Sequence, residues 1–435
     1  MEQSPLGKSP VGKGSAEDRP AITSIVTVPG LDTTGQATGT IQLGIVIGDS
    51  RIAWGTCEDV QVGDRPDFQS PFSIEEGIAF IEEKINPLLV GQKLVTFRHL
   101  ASVVESIRET VTISKPVLQP ERRSQIVSRR AIISGFLSSS EADESVAATE
   151  QITIERAIHP AIGHGLSQAL LSAVSMVRGV TVAEIIAEEF DLPIPSTAVD
   201  LQMPIQRGQK LQLHDQISAL SYAVGRTDFE ESLGPNGERI QRFVRQLRES
   251  LVEAGYARPM TIHLDTAGGL GQIFGQDIGK VLGALYGLEQ AAKPCLVRVQ
   301  DPLILDDLDS QIEALGQLRS YIRMRGMSLQ LVASAGIHTL SDIRSFVQAE
   351  AVHVLHLQMS RLGTIQELIV ASQECRARDM RILLEGAPSA VTSQVALAMQ
   401  PDLLTYPRDR PAGASIAAFH NEMARTLTWL TQKAT

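Results

Sequence analysis

Residues 260–300 read MTIHLDTAGGLGQIFGQDIGKVLGALYGLEQAAKPCLVRVQ, and this stretch decides the fold class. Met260 to Leu264 is a short apolar run with the length of a strand. Asp277 to Ala292 repeats apolar residues at helical spacing. Cys295 to Val299 is again short and apolar. Strand, helix and strand in succession make one β/α unit. The unit then recurs. Helices are predicted over Leu308 to Arg325, Leu340 to Ala349, Ile365 to Arg378 and Ala390 to Met399. Between and after them, strands are predicted over Ser328 to Ala333, Val352 to Leu357, Arg381 to Leu384 and Leu403 to Tyr406. Such near-continuous apolar strands are those covered on both faces. Upstream, Ser196 to Val199 and Ile217 to Val224 are fainter candidates for two further strands. Eight strands with helical crossovers predict a (β/α)8-type TIM barrel; a doubly wound open sheet is the alternative.

The region before the barrel reads differently. Ile22 to Val28, Ile41 to Ile47 and Arg51 to Gly55 are β-like, and Gly48-Asp49-Ser50 reads as a hairpin turn. Ser73 and Glu76 fit a capping box opening a helix through Ile85. Further helices are predicted over Phe97 to Val111, Ala161 to Leu171 and Thr181 to Phe190. Strands first and helices later is an α+β pattern. The expected organisation is a flexible Gly/Ser/Pro-rich tail at 1–20, an α+β capping domain at 21–192, and a barrel domain with a C-terminal helix at 193–435. The arginines at 122, 123, 129 and 130 read as a solvated helix surface, and 141–150 as an exposed insertion.

Thirty-nine basic and fifty acidic residues leave a net charge of −11 over 435 residues. A net acidic chain lacks the basic footprint of a nucleic-acid binder. No uncharged apolar run reaches the length of a membrane span. Three cysteines, Cys57, Cys295 and Cys375, make neither a disulfide framework nor a zinc motif. The expectation is a cytoplasmic protein with no nucleic-acid or membrane partner. Aromatic residues are only 4 %, so Leu, Ile, Val and Ala must fill the core.

Barrel chemistry sits at the C-terminal strand ends. Those ends carry Asp265, Gln300, Ser334, Gln358, Glu385 and Tyr406, with spacings of 35, 34, 24 and 27 residues from Asp265 to Glu385. His356 lies two residues before Gln358 and can share its face. By residue type alone, Asp265 can be a ligand or can cap its own loop. His356 can be a base or a buried structural histidine, and Glu385 can pair with a nearby Arg. His353 points away from His356 and forms no metal pair with it. The Gly268-Gly269-Leu270-Gly271 stretch lacks the spacing and lysine of a phosphate loop.

At these residues the chain resembles the methylaspartate ammonia-lyases of the enolase superfamily. Gly55-Thr56-Cys57 through Val60-Gln61, then Gly63-Asp64-Arg65, is similar to that family's G-D-C-A-x-V-Q and G-x-R-D segments. The resemblance continues through Thr181 to Ile186, His263-Leu264-Asp265, Ala291-Ala292-Lys293-Pro294, Arg298 to Pro302, Leu331 to Ser334, and Asn421 to Arg425. It implies an enolase-like fold, a homodimer, and Mg²⁺-dependent removal of ammonia from 3-methylaspartate. It also implies a metal held by three carboxylates, with a Lys base and a His on opposite sides. Of these positions only Asp265 is kept. The second carboxylate maps to Gln300, the third to Ser334 and the Lys to Gln358. The Gln before that Lys maps to His356, and the opposing His maps near Ser221 or Tyr222. A Thr-Cys loop has no counterpart where Glu385 runs through Gly386-Ala387-Pro388.

Two metal carboxylates are thus replaced by neutral groups, and an amide cannot serve as a general base. The expectation is a homologue that has lost the Mg²⁺-dependent reaction, with no cofactor, and that acts as a binding or scaffold protein. The alternative is a divergent, metal-independent carbon–nitrogen lyase or related enzyme acting on a small amino or carboxylic acid. In that case His356 and Glu385 are its candidate catalytic residues, with Asp265, Gln300, Ser334 and Gln358 lining the substrate pocket. A polar pocket with His356 and Asp265 turned inward favours an enzyme. A pocket plugged by apolar side chains favours a scaffold.

Overall fold

In the computed structural model, the described residues are 19–31, 37–58, 72–116, 149–209, 211, 215–256, 260–408 and 410–434. The predicted tail at 1–18, the Val60 to Arg65 part of the resemblance, the arginines at 122–130 and most of the 141–150 insertion lie outside them.

Three antiparallel strands open the chain: β1 (Ile22–Leu31), β2 (Ala37–Ile47) and β3 (Ile52–Glu58). The β2–β3 turn is the predicted one. The Ser50 N–H reaches the Ile47 carbonyl at 2.8 Å, and Ser50 takes φ +71°. One face of β3 is buried, alternating Ala53, Gly55 and Cys57 with more exposed neighbours. That face meets the helix Pro160–Arg178 at a glycine crossing: a Cβ on Gly55 would stand 1.9 Å from the Gly165 carbonyl oxygen. Ser73 Oγ accepts the Glu76 N–H at 3.3 Å, and helical structure runs on through Ile74–Phe80, Ile81–Ile85 and Asn86–Leu89.

The helix predicted over Phe97 to Val111 ends early, at Ser106. Beyond it, β4 (Arg108–Pro116) pairs antiparallel with β5 (Thr149–Ala157). The β-branched run Thr110 to Ile113 faces Ile152 to Glu155 across the ladder. This partner lies far away in sequence, so the apolar residues of the run passed for a continuing helix. Residues 106–158 form a compact unit of their own.

The other unit contains a closed parallel barrel, and the open doubly wound alternative is excluded. Its strands are β6 (Leu201–Pro204), β7 (Ile217–Ala223), β8 (Thr261–Asp265), β9 (Leu296–Gln300), β10 (Gln330–Ala333), β11 (Val354–Gln358), β12 (Arg381–Glu385) and β13 (Leu403–Thr405), with β13 closing on β6. The first strand was expected at Ser196 to Val199 and lies instead at Leu201–Pro204. Prolines at 193, 195 and 204 interrupt the local pattern, and Leu201, paired to Ile217 and Leu404, sets the true register. Ala219, Val332, Val354, Leu383 and Leu403 fill the barrel core.

Helix Pro160–Arg178 also rests on the barrel. Ser167 Oγ accepts the Ile365 N–H at 3.1 Å, and Gln394 Oε1 accepts the Val182 N–H at 2.8 Å at the start of the next helix, Val182–Glu189. Each contact satisfies a helix-start N–H that has no partner within its own helix. They fix the first three strands and these helices over the C-terminal end of the barrel. Among the described residues, no single helix is long and apolar enough to cross a membrane.

Candidate functional site

The barrel mouth is crossed by a line of polar side chains. Gln300, at the end of β9, places Oε1 3.0 Å from His263 Nε2 of β8 and 2.8 Å from His356 Nδ1 of β11. All three residues are buried. With the amide oxygen in that place both imidazoles donate to it, and His356 keeps only Nε2 for another partner. That nitrogen lies 3.3 Å from Glu385 Oε2, within ion-pair range but not aligned as a hydrogen bond. Gln358 Nε2 donates to Glu385 Oε1 at 3.3 Å. The resulting chain of five, His263, Gln300, His356, Glu385 and Gln358, spans four strands.

Electrostatics follow from burial and these contacts. Burial pushes His263 well below the usual histidine range, and the neighbouring His356 and Arg298 charges add to it. Burial pushes the other way at Glu385, but His356, Arg408 and Gln358 outweigh it and hold the carboxyl below the usual range. Glu385 is therefore the anionic end of the line.

Asp265, at the end of β8, is buried, with side-chain exposure of only 9 %. Its Oδ1 accepts the Ala267 N–H at 3.1 Å, so it does cap its own loop. Its Oδ2 lies 2.7 Å from Arg408 Nη2, on the loop after β13. Asp301 was overlooked beside Gln300. It sits in the left-handed region at φ +45°, and its Oδ1 accepts the Ser334 and Ala335 N–H groups at 2.9 and 3.2 Å. Burial, reinforced by the charge of Asp265, pushes its carboxyl up to about 7. Ser334 is buried beside it.

Not every expected residue joins this group. Tyr406 lies beyond the end of β13 and packs on Phe419, with ring centroids 6.5 Å apart. Tyr222 packs on Phe243 in a tilted pair with ring centroids 4.4 Å apart, while Ser221 is buried in β7. His353 turns away, as expected: its Nδ1 accepts the Leu331 N–H at 3.0 Å. Cys57 and Cys375 are buried, and burial pushes both thiols up to about 12.

A cavity of about 790 Å³ adjoins this group, between the barrel and the elements above it. Gln42, Thr56, Glu58, His164 and Gln168 line one side; Ser360, residues 386–389 and Arg410 line the other. Glu385 belongs to the polar line, and the residue after it, Gly386, lines the cavity. Arg410 also ion-pairs with Glu58, so the loop after β13 sends one arginine into the barrel and one to β3. Gln168 Oε1 accepts the Thr56 N–H at 3.0 Å, which turns its Nε2 toward His164 Nε2 at 2.7 Å. That nitrogen must accept, so the His164 proton sits on Nδ1.

Several of these residues had a visible signal. His263 stands two positions before Asp265, as His356 does before Gln358. Arg408, on a loop, and His164 and Gln168, on a helix, had none, because such positions carry no strand periodicity.

A closed eight-stranded barrel, capped at its C-terminal end and carrying its polar groups there, defines an enolase-superfamily fold. Muconate cycloisomerase of Pseudomonas fluorescens shares it at 13 % identity, a TM-score of 0.56, and coverage of 88 % of this chain and 84 % of that one. Residues 217–432 match the family model for the methylaspartate ammonia-lyase C-terminus, and residues 8–119 and 115–191 match that for the N-terminus. The chain belongs to the methylaspartate ammonia-lyase family. It is 27 % identical to methylaspartate ammonia-lyase 2 of Carboxydothermus hydrogenoformans, covering 93 % of this chain and 90 % of the relative. The crystal structure of beta-methylaspartase from Clostridium tetanomorphum, in its Mg complex, superposes with a TM-score of 0.74 at 21 % identity, covering 95 % of this chain and all of the other. The Citrobacter amalonaticus enzyme containing (2S,3S)-3-methylaspartic acid gives 0.73 at 20 % identity, with coverage of 94 % and 100 %.

The family implies a divalent metal, and the residues present do not fit one. A hard cation of this kind wants several free, preferably anionic, oxygens. Here one Asp265 oxygen faces a guanidinium, the Gln300 oxygen is held between two imidazoles, and Ser334 brings no charge. Among the described residues, no three His, Cys, Asp or Glu side chains come together as a metal site.

Proposed function

We propose that this chain does not carry out the Mg²⁺-dependent deamination of its relatives, and that it binds a small carboxylic or amino acid in the polar mouth of its barrel. The observation that carries this reading is Gln300. Its amide stands at the position of a family metal carboxylate, and its oxygen already serves two buried imidazoles at 3.0 and 2.8 Å. With both lone pairs used, that oxygen has none left for a metal. The scaffold role has less support, because the mouth is filled by polar side chains and not by an apolar plug.

A second reading is a divergent, metal-independent carbon–nitrogen lyase, and it is favoured by the 3.3 Å approach of His356 and Glu385. As a base, His356 must turn Nε2 from Glu385 to a substrate, because its Nδ1 already donates to Gln300 Oε1 at 2.8 Å. Gln358, at the family's lysine position, can only donate or accept hydrogen bonds.

The test is ammonia release from 3-methylaspartate with Mg²⁺, with and without EDTA. The expected result is release no faster than the protein-free control. Enzyme-like release that EDTA abolishes overturns the proposal. For the second reading, a screen of small amino and carboxylic acids is repeated with His356→Ala. Activity untouched by that change removes His356 as the base.

A further inference from the structure

Among the described residues, the cation beside Asp265 in the barrel mouth is the side chain of Arg408. Asp265 is buried, and a carboxylate taken out of water needs an opposite charge or several donors. It has one of each: the Ala267 N–H at 3.1 Å on Oδ1 and Arg408 Nη2 at 2.7 Å on Oδ2. Arg408 arrives from the loop after β13, 143 residues away in sequence. Its charge also acts on Glu385 and His263. A guanidinium never loses its proton in a protein, and it presents a planar fork of donors that matches a carboxylate. The Asp265–Arg408 pair sums to zero charge, so Asp265 offers a divalent cation no net charge. The Arg408 side chain remains 48 % exposed, so its other donors are accessible to solvent while one arm is anchored on Asp265. Among the described residues, Asp265 is its hydrogen-bond partner.

We infer that Arg408 takes over the electrostatic task of the family metal: it binds the carboxylate of a small acid at the barrel mouth, with Asp265 holding it in place. Divalent cations then have no part in ligand binding. This rests on the reading that the mouth binds a small carboxylic or amino acid, and it names the group that does so. Arg408 is a binding residue and Asp265 a positioning residue.

The experiment is calorimetric titration of the full chain with 3-methylaspartate and, separately, succinate. Each is run after EDTA treatment and again with added Mg²⁺. At least one acid should bind, with the same affinity in both conditions. Arg408→Ala should weaken it by about ten- to a hundredfold, the range of a lost charge-assisted hydrogen bond. Arg408→Lys should fall between, since it keeps the charge but loses the fork. The lysine variant decides the matter if the alanine variant does not fold. Undiminished binding in the folded variants overturns the role of Arg408 and leaves the pocket reading standing. Tighter binding with Mg²⁺ in the unsubstituted chain also overturns it. Failure of both acids to bind overturns the pocket reading and this inference together.

Discussion

His356 Nε2 lies 3.3 Å from Glu385 Oε2, while Nδ1 of the same ring is 2.8 Å from Gln300 Oε1. The ring is thus held from both sides. Glu385→Gln keeps the shape of the side chain and removes its charge, so His356 loses its anionic partner inside a buried network. A loss of about 1–3 kcal/mol is expected. Urea unfolding of Glu385→Gln, His356→Ala and the double variant measures how far the two residues depend on each other. Costs that simply add, within about 0.5 kcal/mol, would mean that the two side chains do not interact.

Two glycines, Gly55 and Gly165, let β3 and the helix Pro160–Arg178 cross at close range. A Cβ on Gly55 meets the Gly165 carbonyl oxygen at 1.9 Å, and one on Gly165 meets Cys57 Sγ at 2.5 Å. Backbone cannot rotate aside as a side chain does. Gly55→Ala must push the helix off the sheet, at a cost on the order of 3 kcal/mol or more. The urea midpoint reads this directly. A midpoint within error of the unsubstituted chain would contradict the close approach.

At the opposite end of the barrel, Arg298 is 2 % exposed. Its Nε donates to Gln330 Oε1 at 2.9 Å, and its other arm ion-pairs with Asp402. Asp402 is 28 % exposed, so solvent relieves part of the loss when it is neutralised. Asp402→Asn should destabilise by about 2–3 kcal/mol, below the range for a fully buried pair. Differential scanning calorimetry tests this, and an unchanged unfolding temperature counts against the pair.

The barrel was legible because its strands are covered on both faces. Each reads as a brief apolar run, and the helix after each repeats at its own period. The strand ends follow from the β/α spacing, which places Asp265, Gln300, His356 and Glu385 in one mouth. What the pattern does not carry is partnership. Arg408 reaches Asp265 from a loop with no periodicity. β4 needs β5, some forty residues on, before its β-branched run reads as a strand. The first barrel strand is a four-residue element between prolines, too short to show a period.

Buried His164 and half-buried His353 add, beside His263, to the acid sensitivity of the fold. Burial pushes His164 down to about 4. Burial, with the charges of Arg319 and Arg381, pushes His353 down to about 4 as well. In the unfolded chain both should titrate near 6.5. Between those values the unfolded state binds more protons than the folded one, so stability falls as the pH falls. Their contribution is complete above about pH 6.5 and is lost progressively toward pH 4. Each histidine accounts for on the order of 3 kcal/mol across that window. His353→Asn separates titration from packing. Its side-chain oxygen can accept the Leu331 N–H that His353 Nδ1 takes at 3.0 Å, but it cannot be protonated. Urea midpoints measured from about pH 4.5 to 7.5 should therefore fall less steeply for His353→Asn than for the unsubstituted chain. Parallel curves would show that His353 is not kept neutral by the fold.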